Sequence, residues 1–160
     1  MWISGFLGRW RLAVSPDGKV GDEGLIEVKC PLTLKDKKIL DWAIERRSQS
    51  PVVVKDGVLM MKTEHAHYFQ VVMQIFVAER QWCDYFIWSE TGDHFLQRVI
   101  RDSKTTALWN RIKSKLIHFW ELDLLPELAD SRLERKLKPR LPEYRQLAIK
   151  VKKSGLARNT

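Results

Sequence analysis

The chain has few of the features that hold a protein together covalently or anchor it in a membrane. Its two cysteines, Cys30 and Cys83, each sit in an apolar run, with neither a CxxC partner nor a histidine at zinc-ligand spacing. A disulfide framework and a cysteine-based zinc module are thereby excluded, and both thiols are expected to be reduced core residues of an intracellular protein. No run approaches the roughly 18 uninterrupted apolar residues of a membrane span. The opening MWISGFLGRWRLAV is broken by Arg9 and Arg11 and has no small-residue cleavage site, so no secretory leader is expected. Internal repeats and low-complexity blocks are absent. Acids are scarce in two places: none precedes Asp17, and residues 132–160 contain only Glu134 and Glu143.

What is present describes a folding chain. Hydrophobic residues make up 44% and charged residues 30%, with seven tryptophans, which excludes a disordered tail and a coiled coil. At 160 residues a single core can bury roughly 70% of the unfolded chain's surface. The net charge is +8, and its distribution matters more than its size: residues 132–160 hold ten of the 28 Lys and Arg, leaving 18 bases and 18 acids before them. A neutral body with a basic tail suggests attraction to a polyanion such as nucleic acid. A solvated, partly disordered C-terminus is the plainer reading of the same charges.

Periodicity supplies the elements. Residues 11–14 read as a short strand entering the turn SPDG, and GDEG (21–24) closes a hairpin onto GLIEVKC, which Pro31 ends. Residues 33–49 show helical spacing. PVVVKDGVLMMK is a second hairpin turning at Asp56-Gly57, followed by a helix over 64–80. QWCDYFIWS and HFLQRVIR read as strands, and a long helix runs from Ser103 to about Leu125 with Pro126 near its end. The order β-β-α-β-β-α-β-β-α predicts an α/β or α+β layer structure around one sheet.

Strand alternation places Glu27 and Lys29 on one face of GLIEVKC, opposite Ile26, Val28 and Cys30. Asp17, on the preceding turn, reaches the same face if the hairpin closes. Two carboxylates and a lysine are the minimum set for metal-assisted phosphodiester hydrolysis: oxygen ligands hold Mg²⁺, and the lysine orients water or offsets developing charge. The spacing alone is common, and a Glu/Lys pair on a strand is more often a solvated surface pair worth under ~1 kcal/mol. The helix YFQVVMQIFVA adds a second signal. Gln70 and Gln74 are four apart and share a face, and neutral amides bordered by apolar residues suggest a face turned toward a cleft or another layer rather than water. An exposed helix with two incidental glutamines is the alternative.

These residues resemble a family. SPDGKVGDEGLIEVKCP followed by HYFQVVMQIFVAERQWCDYFIWS is similar to the YqaJ-type viral recombinase domain, the group of PD-(D/E)XK nucleases that includes phage lambda exonuclease, over roughly residues 13–125. The resemblance implies a restriction-endonuclease-like core, a central mixed sheet flanked by helices. It implies Asp17, Glu27 and the Val28 carbonyl as ligands of Mg²⁺ or Mn²⁺, Lys29 as the catalytic lysine, Gln70 as the glutamine beside the active site, and Ser15 near the DNA phosphate. It further implies 5′ to 3′ digestion of duplex DNA ends in recombination, a homo-trimer, and a single-strand annealing protein as partner; the lack of a long apolar run leaves no membrane partner expected. The chain departs from the pattern at His67 and Val72, where the family often has Tyr and Gln. It also departs before SPDG, where the family carries a core helix that supplies a further carboxylate. An N-terminally truncated copy is therefore expected, with residues 1–12 an atypical lead, 13–129 the nuclease core and 130–160 a basic tail. A catalytically inactive nucleic-acid-binding remnant, and a protein-interaction domain that happens to contain E-x-K, stand as alternatives.

Other residues are weighed and set lower. Lys35, Lys37 and Lys38, just past the E-x-K strand, are candidates for DNA phosphate contact, or else a solvated helix start. His65 and His67 lack a third ligand. Asp22 and Glu23 read as turn residues, and Trp82, Trp88, Trp109 and Trp120 as core. Trp2 and Trp10 are exposed if an N-terminal segment is missing. KVKK (150–153) is a weak nuclear address for a eukaryotic host.

Overall fold

The computed structural model describes residues 12–156, with side chains to 154. The expected lead 1–12, with Trp2 and Trp10, lies almost wholly outside them. The elements are β1 (Gly18–Val20), β2 (Gly24–Lys29), a 3-10 turn (Leu32–Leu34), α1 (Ile39–Glu45), β3 (Val52–Lys55), β4 (Val58–Met61), α2 (Ala66–Val77), β5 (Trp82–Trp88), β6 (His94–Ile100), α3 (Ser103–Phe119), a π turn (Trp120–Leu124), α4 (Leu125–Asp130) and α5 (Glu143–Leu156). The chain divides into two compact units, one through Ile112 and one from Lys113 onward.

The first unit is built on a four-stranded sheet in the order β1-β2-β5-β6. β1 and β6 pair antiparallel with their neighbours, whereas β2 and β5 run parallel, so the sheet is mixed. The parallel step needs a crossover, and α1, the β3-β4 hairpin and α2 supply it. Leu25, Cys83, Tyr85, Ile87, Phe95 and Val99 are buried, as are Val71, Val72, Ile75 and Phe76 of α2. Trp109 of α3 closes this core by stacking on Phe76, with ring centroids 5.6 Å apart. The other sheet face is wetter: Trp88, Leu96 and Ile100 are exposed, and Arg98 pairs with Asp84 at 2.8 and 2.9 Å while lying over the Trp82 ring. Gly24 is opposite Trp82 in the ladder, and a Cβ there would come within 2.2 Å of the indole, so only glycine fits.

Several expectations are corrected. SPDG is no turn: its Gly18 opens the strand Gly18–Val20, and residues 12–16 contribute only an isolated bridge at Val14. The helix expected over 33–49 is confined to Ile39–Glu45, because the stretch after Pro31 first makes the 3-10 turn. The second hairpin forms as expected, with Asp56 and Gly57 at φ 51° and 78°, but as a separate two-stranded sheet. It is tied to β6 through the Met61 N–H, which donates to Gln97 Oε1 at 2.8 Å. Cys30 is exposed and only Cys83 is buried, since the paired register ends at Lys29. Trp88 is exposed rather than core because it lies on the open sheet face.

In the second unit, Pro126 begins α4 instead of ending a helix, which suits a residue with no N–H to offer in the first turn. Asp130 pairs with Arg135 and Arg140, and Asp123 pairs with Arg145 at 2.7 Å and accepts from the Tyr144 hydroxyl. The basic segment contains α5, a 14-residue helix. Among the described residues no helix is long and apolar enough to cross a membrane.

Candidate active site

Alternation along β2 sends Leu25, Glu27 and Lys29 toward α2, and Glu27 is 2% exposed. A carboxylate at such a position is costly unless donors replace water. Three do. Gln70 Nε2 donates to Oε1 at 2.7 Å, Gln74 Nε2 donates to Oε2 at 2.6 Å, and the Lys29 ammonium pairs with Oε1. The two glutamines one helical turn apart thus clamp both oxygens of one carboxylate, and the lysine two residues along the strand neutralises it. This is why α2 carries amides here: a lysine in their place would add an unbalanced charge, and a leucine would leave an oxygen unpaired.

Asp17 is exposed and precedes β1. Because Gly18 pairs with Ile26, Asp17 comes level with Glu27, and the next N–H along β2, that of Val28, donates to Asp17 Oδ2 at 2.7 Å. The structure therefore brings together Asp17, Glu27, Val28, Lys29 and Gln70. Ser15 is exposed two residues upstream of Asp17. Lys35 and Lys38 are exposed, and Lys37 pairs with Glu45 of α1, holding that carboxyl below its usual range. None of these three lysines shares in the contacts around Glu27. Asp22 and Glu23 sit in the exposed β1-β2 turn.

Two carboxylates and a backbone carbonyl are all-oxygen donors, the set that suits a hard divalent cation. Among the described residues no group of three or more His, Cys, Asp and Glu side chains is placed to hold a metal, so no third side-chain ligand joins the pair. Cys83, under Gln74, has its thiol pushed up to about 12 by burial and then by Glu27, and is no nucleophile.

Sequence reasoning missed Tyr85, and gave His67 only as a departure from the family pattern and as half of a histidine pair lacking a third ligand. Tyr85, beside Glu27 in the parallel ladder and fully buried, bonds through its hydroxyl to His67 Nδ1 at 2.6 Å. Burial, and then Glu27, raise the phenol's pKa, so it keeps its proton. His67 is lowered to about 4, first by burial and then by His65 and Lys29, and is neutral at pH 7. One signal was available: His67 is three residues before Gln70 and seven before Gln74, the same helical stripe.

No protein-family model and no curated protein matches the chain. Among solved structures, the crystal structure of LHK-Exo, an alkaline exonuclease from Laribacter hongkongensis, aligns with 78% of this chain and 54% of its own at 29% identity and TM-score 0.48. The structure of LHK-Exo in complex with dAMP aligns with 84% of this chain and 58% of its own, at 25% identity and TM-score 0.51. The chain shares the fold of this exonuclease. The chain spans little more than half the length of the exonuclease it matches. In this fold the mixed sheet presents Glu27 to α2, and the departure at Val72 is buried in the apolar core.

Proposed function

We propose that the chain is a metal-dependent DNA nuclease, an exonuclease acting on duplex ends, in the manner of the YqaJ-type PD-(D/E)XK enzymes it resembles. The observation that carries this reading is the buried Glu27 carboxylate, clamped by Gln70 and Gln74 and paired with Lys29, with Asp17 held alongside by the Val28 N–H. A structural ion pair needs no such arrangement, since replacing it with apolar residues is commonly neutral or stabilising. The likeness to an alkaline exonuclease, crystallised in one case with dAMP, supports DNA as the substrate.

Asp17, Glu27 and the Val28 carbonyl would hold Mg²⁺ or Mn²⁺. When bound, the ion supplies water activation and offsets the negative charge that builds on the phosphate. Gln70 and Gln74 keep the Glu27 carboxylate oriented by donating to its oxygens. Lys29 is one quarter exposed, so its ammonium faces both the carboxylate and solvent. From there it orients the attacking water and places positive charge beside the phosphate. Recombination, 5′ to 3′ polarity, trimer formation and an annealing partner remain part of the proposal through resemblance.

The second reading, a binding remnant without catalysis, is favoured by the absence of a third side-chain ligand among the described residues. Glu27→Ala separates the two. The nuclease loses divalent-dependent cleavage and keeps duplex binding, whereas a remnant has no such cleavage in the wild type.

A further inference from the structure

His67 stands where the described contacts give it an unusual chemistry. Its Nδ1 meets the Tyr85 hydroxyl at 2.6 Å, and Tyr85 is fully buried. Two proton arrangements satisfy that distance. If Nδ1 carried the hydrogen and donated, the buried phenol hydrogen would need another acceptor, and none is seen among the described residues. If the phenol donates, both groups are satisfied and the imidazole carries its hydrogen on Nε2. The ring is further set by its neighbour: His65 Nδ1 caps α2 by accepting from the His67 N–H at 3.2 Å, and the two imidazoles meet edge to face at 4.6 Å. His67 is half-buried and its Nε2 has no partner among the described residues. It shares a helix stripe with Gln70 and Gln74, and burial, then His65 and Lys29, hold its proton affinity down. A nitrogen of fixed tautomer on a neutral ring is a hydrogen-bond donor that adds no charge.

We propose that His67 is a substrate-contact residue, donating its Nε2 hydrogen to a phosphate oxygen of the bound DNA strand, with Tyr85 the positioning residue that fixes the tautomer. This rests on the nuclease reading for its substrate and extends it to a residue that the resemblance does not supply. A neutral donor contributes affinity without releasing a counterion, so its contribution is insensitive to salt, unlike that of a lysine.

The test measures duplex DNA affinity in EDTA, where nothing is cleaved, across a salt series, together with ¹⁵N spectra of the His67 ring. His67→Ala should weaken binding about tenfold, the size of a hydrogen bond to a charged acceptor, with the slope of log K against log salt unchanged. His67→Gln, which keeps an N–H donor at similar reach, should restore most of the loss and guards against a folding defect in the alanine variant. Wild-type spectra should show the Nε2-protonated neutral ring at pH 7, and Tyr85→Phe should mix in the other tautomer. An Nδ1-protonated ring, unchanged affinity in His67→Ala, or a slope reduced by about one would overturn the proposal. If the wild type binds duplex yet never cleaves it, the nuclease reading fails while these binding and spectral results still decide the role of His67. If it cleaves and His67→Ala binds as the wild type does, this assignment fails alone. Absence of duplex binding by the wild type overturns both.

Discussion

Glu27 occupies a position that strand alternation alone would fill with an aliphatic residue. Its neighbour on the same face, Leu25, is fully buried. The pattern made the shared face of Glu27 and Lys29 legible, and the four-residue spacing made that of Gln70 and Gln74 legible. That these two faces meet was not legible, because it depends on how α2 crosses the sheet. The Tyr85–His67 bond was hidden for the same reason, being a contact between residues 18 apart in sequence on two different elements. His67 also makes a prediction about stability. Its pKa falls from 6.5 in the unfolded chain to about 4 in the fold, so between these values the unfolded state binds more protons and acid favours unfolding. The thermal midpoint should decline as pH drops from about 6.5 toward 4, with His67→Gln flattening part of the decline, as followed by circular dichroism. An equally steep profile in the variant would contradict this, and His65, lowered in the same direction, accounts for a share that remains.

At the scale of elements, hairpins and strands were read well where local chemistry decides them. Asp56-Gly57 sets its own turn, and the aromatic run 82–88 forms a strand. Helix limits were read less well, because their ends are set from a distance. The N–H of Ile39 at the start of α1 is capped by Asp93 Oδ2 at 2.8 Å, a residue from the β5-β6 turn, and Ser89 donates to the Lys37 carbonyl at 2.7 Å. By contrast α3 carries its own start signal. Asp102 Oδ1 accepts from the Thr105 N–H and Thr105 Oγ1 accepts from the Asp102 N–H, each at 2.8 Å, a reciprocal cap. Asp102→Ala should cost about 1 kcal/mol in urea unfolding at pH 7. The backbone N–H and hydroxyl of Thr105 hold the Asp102 carboxyl below its usual 3.8. Its contribution is therefore present above that value and lost as pH falls through the lowered one, so the deficit should shrink in strong acid. A deficit that is the same at all pH values would count against the cap.

At the scale of the whole molecule, the net charge of +8 is carried by residues 132–160, within the second compact unit. Composition disclosed that concentration, and the helix α5 gives it form: Arg145, Lys150, Lys152 and Lys153 all lie on it and are exposed. If these charges serve DNA, replacing Lys150, Lys152 and Lys153 together with alanine should lower the salt slope of duplex binding by roughly 0.9 for each lysine that touches a phosphate. Cleavage at low salt should persist, because Asp17, Glu27 and Lys29 belong to the first unit. An unchanged slope would mean that the helix is merely solvated. The nuclease function depends on whether the Glu27 cluster cuts DNA. The most direct measurement incubates the purified chain with end-labelled linear duplex DNA in Mg²⁺, in Mn²⁺ and in EDTA, alongside Lys29→Ala. Degradation that requires the divalent ion and is lost in the variant is the expected result. Intact DNA in every lane, from protein shown to be folded, would contradict it.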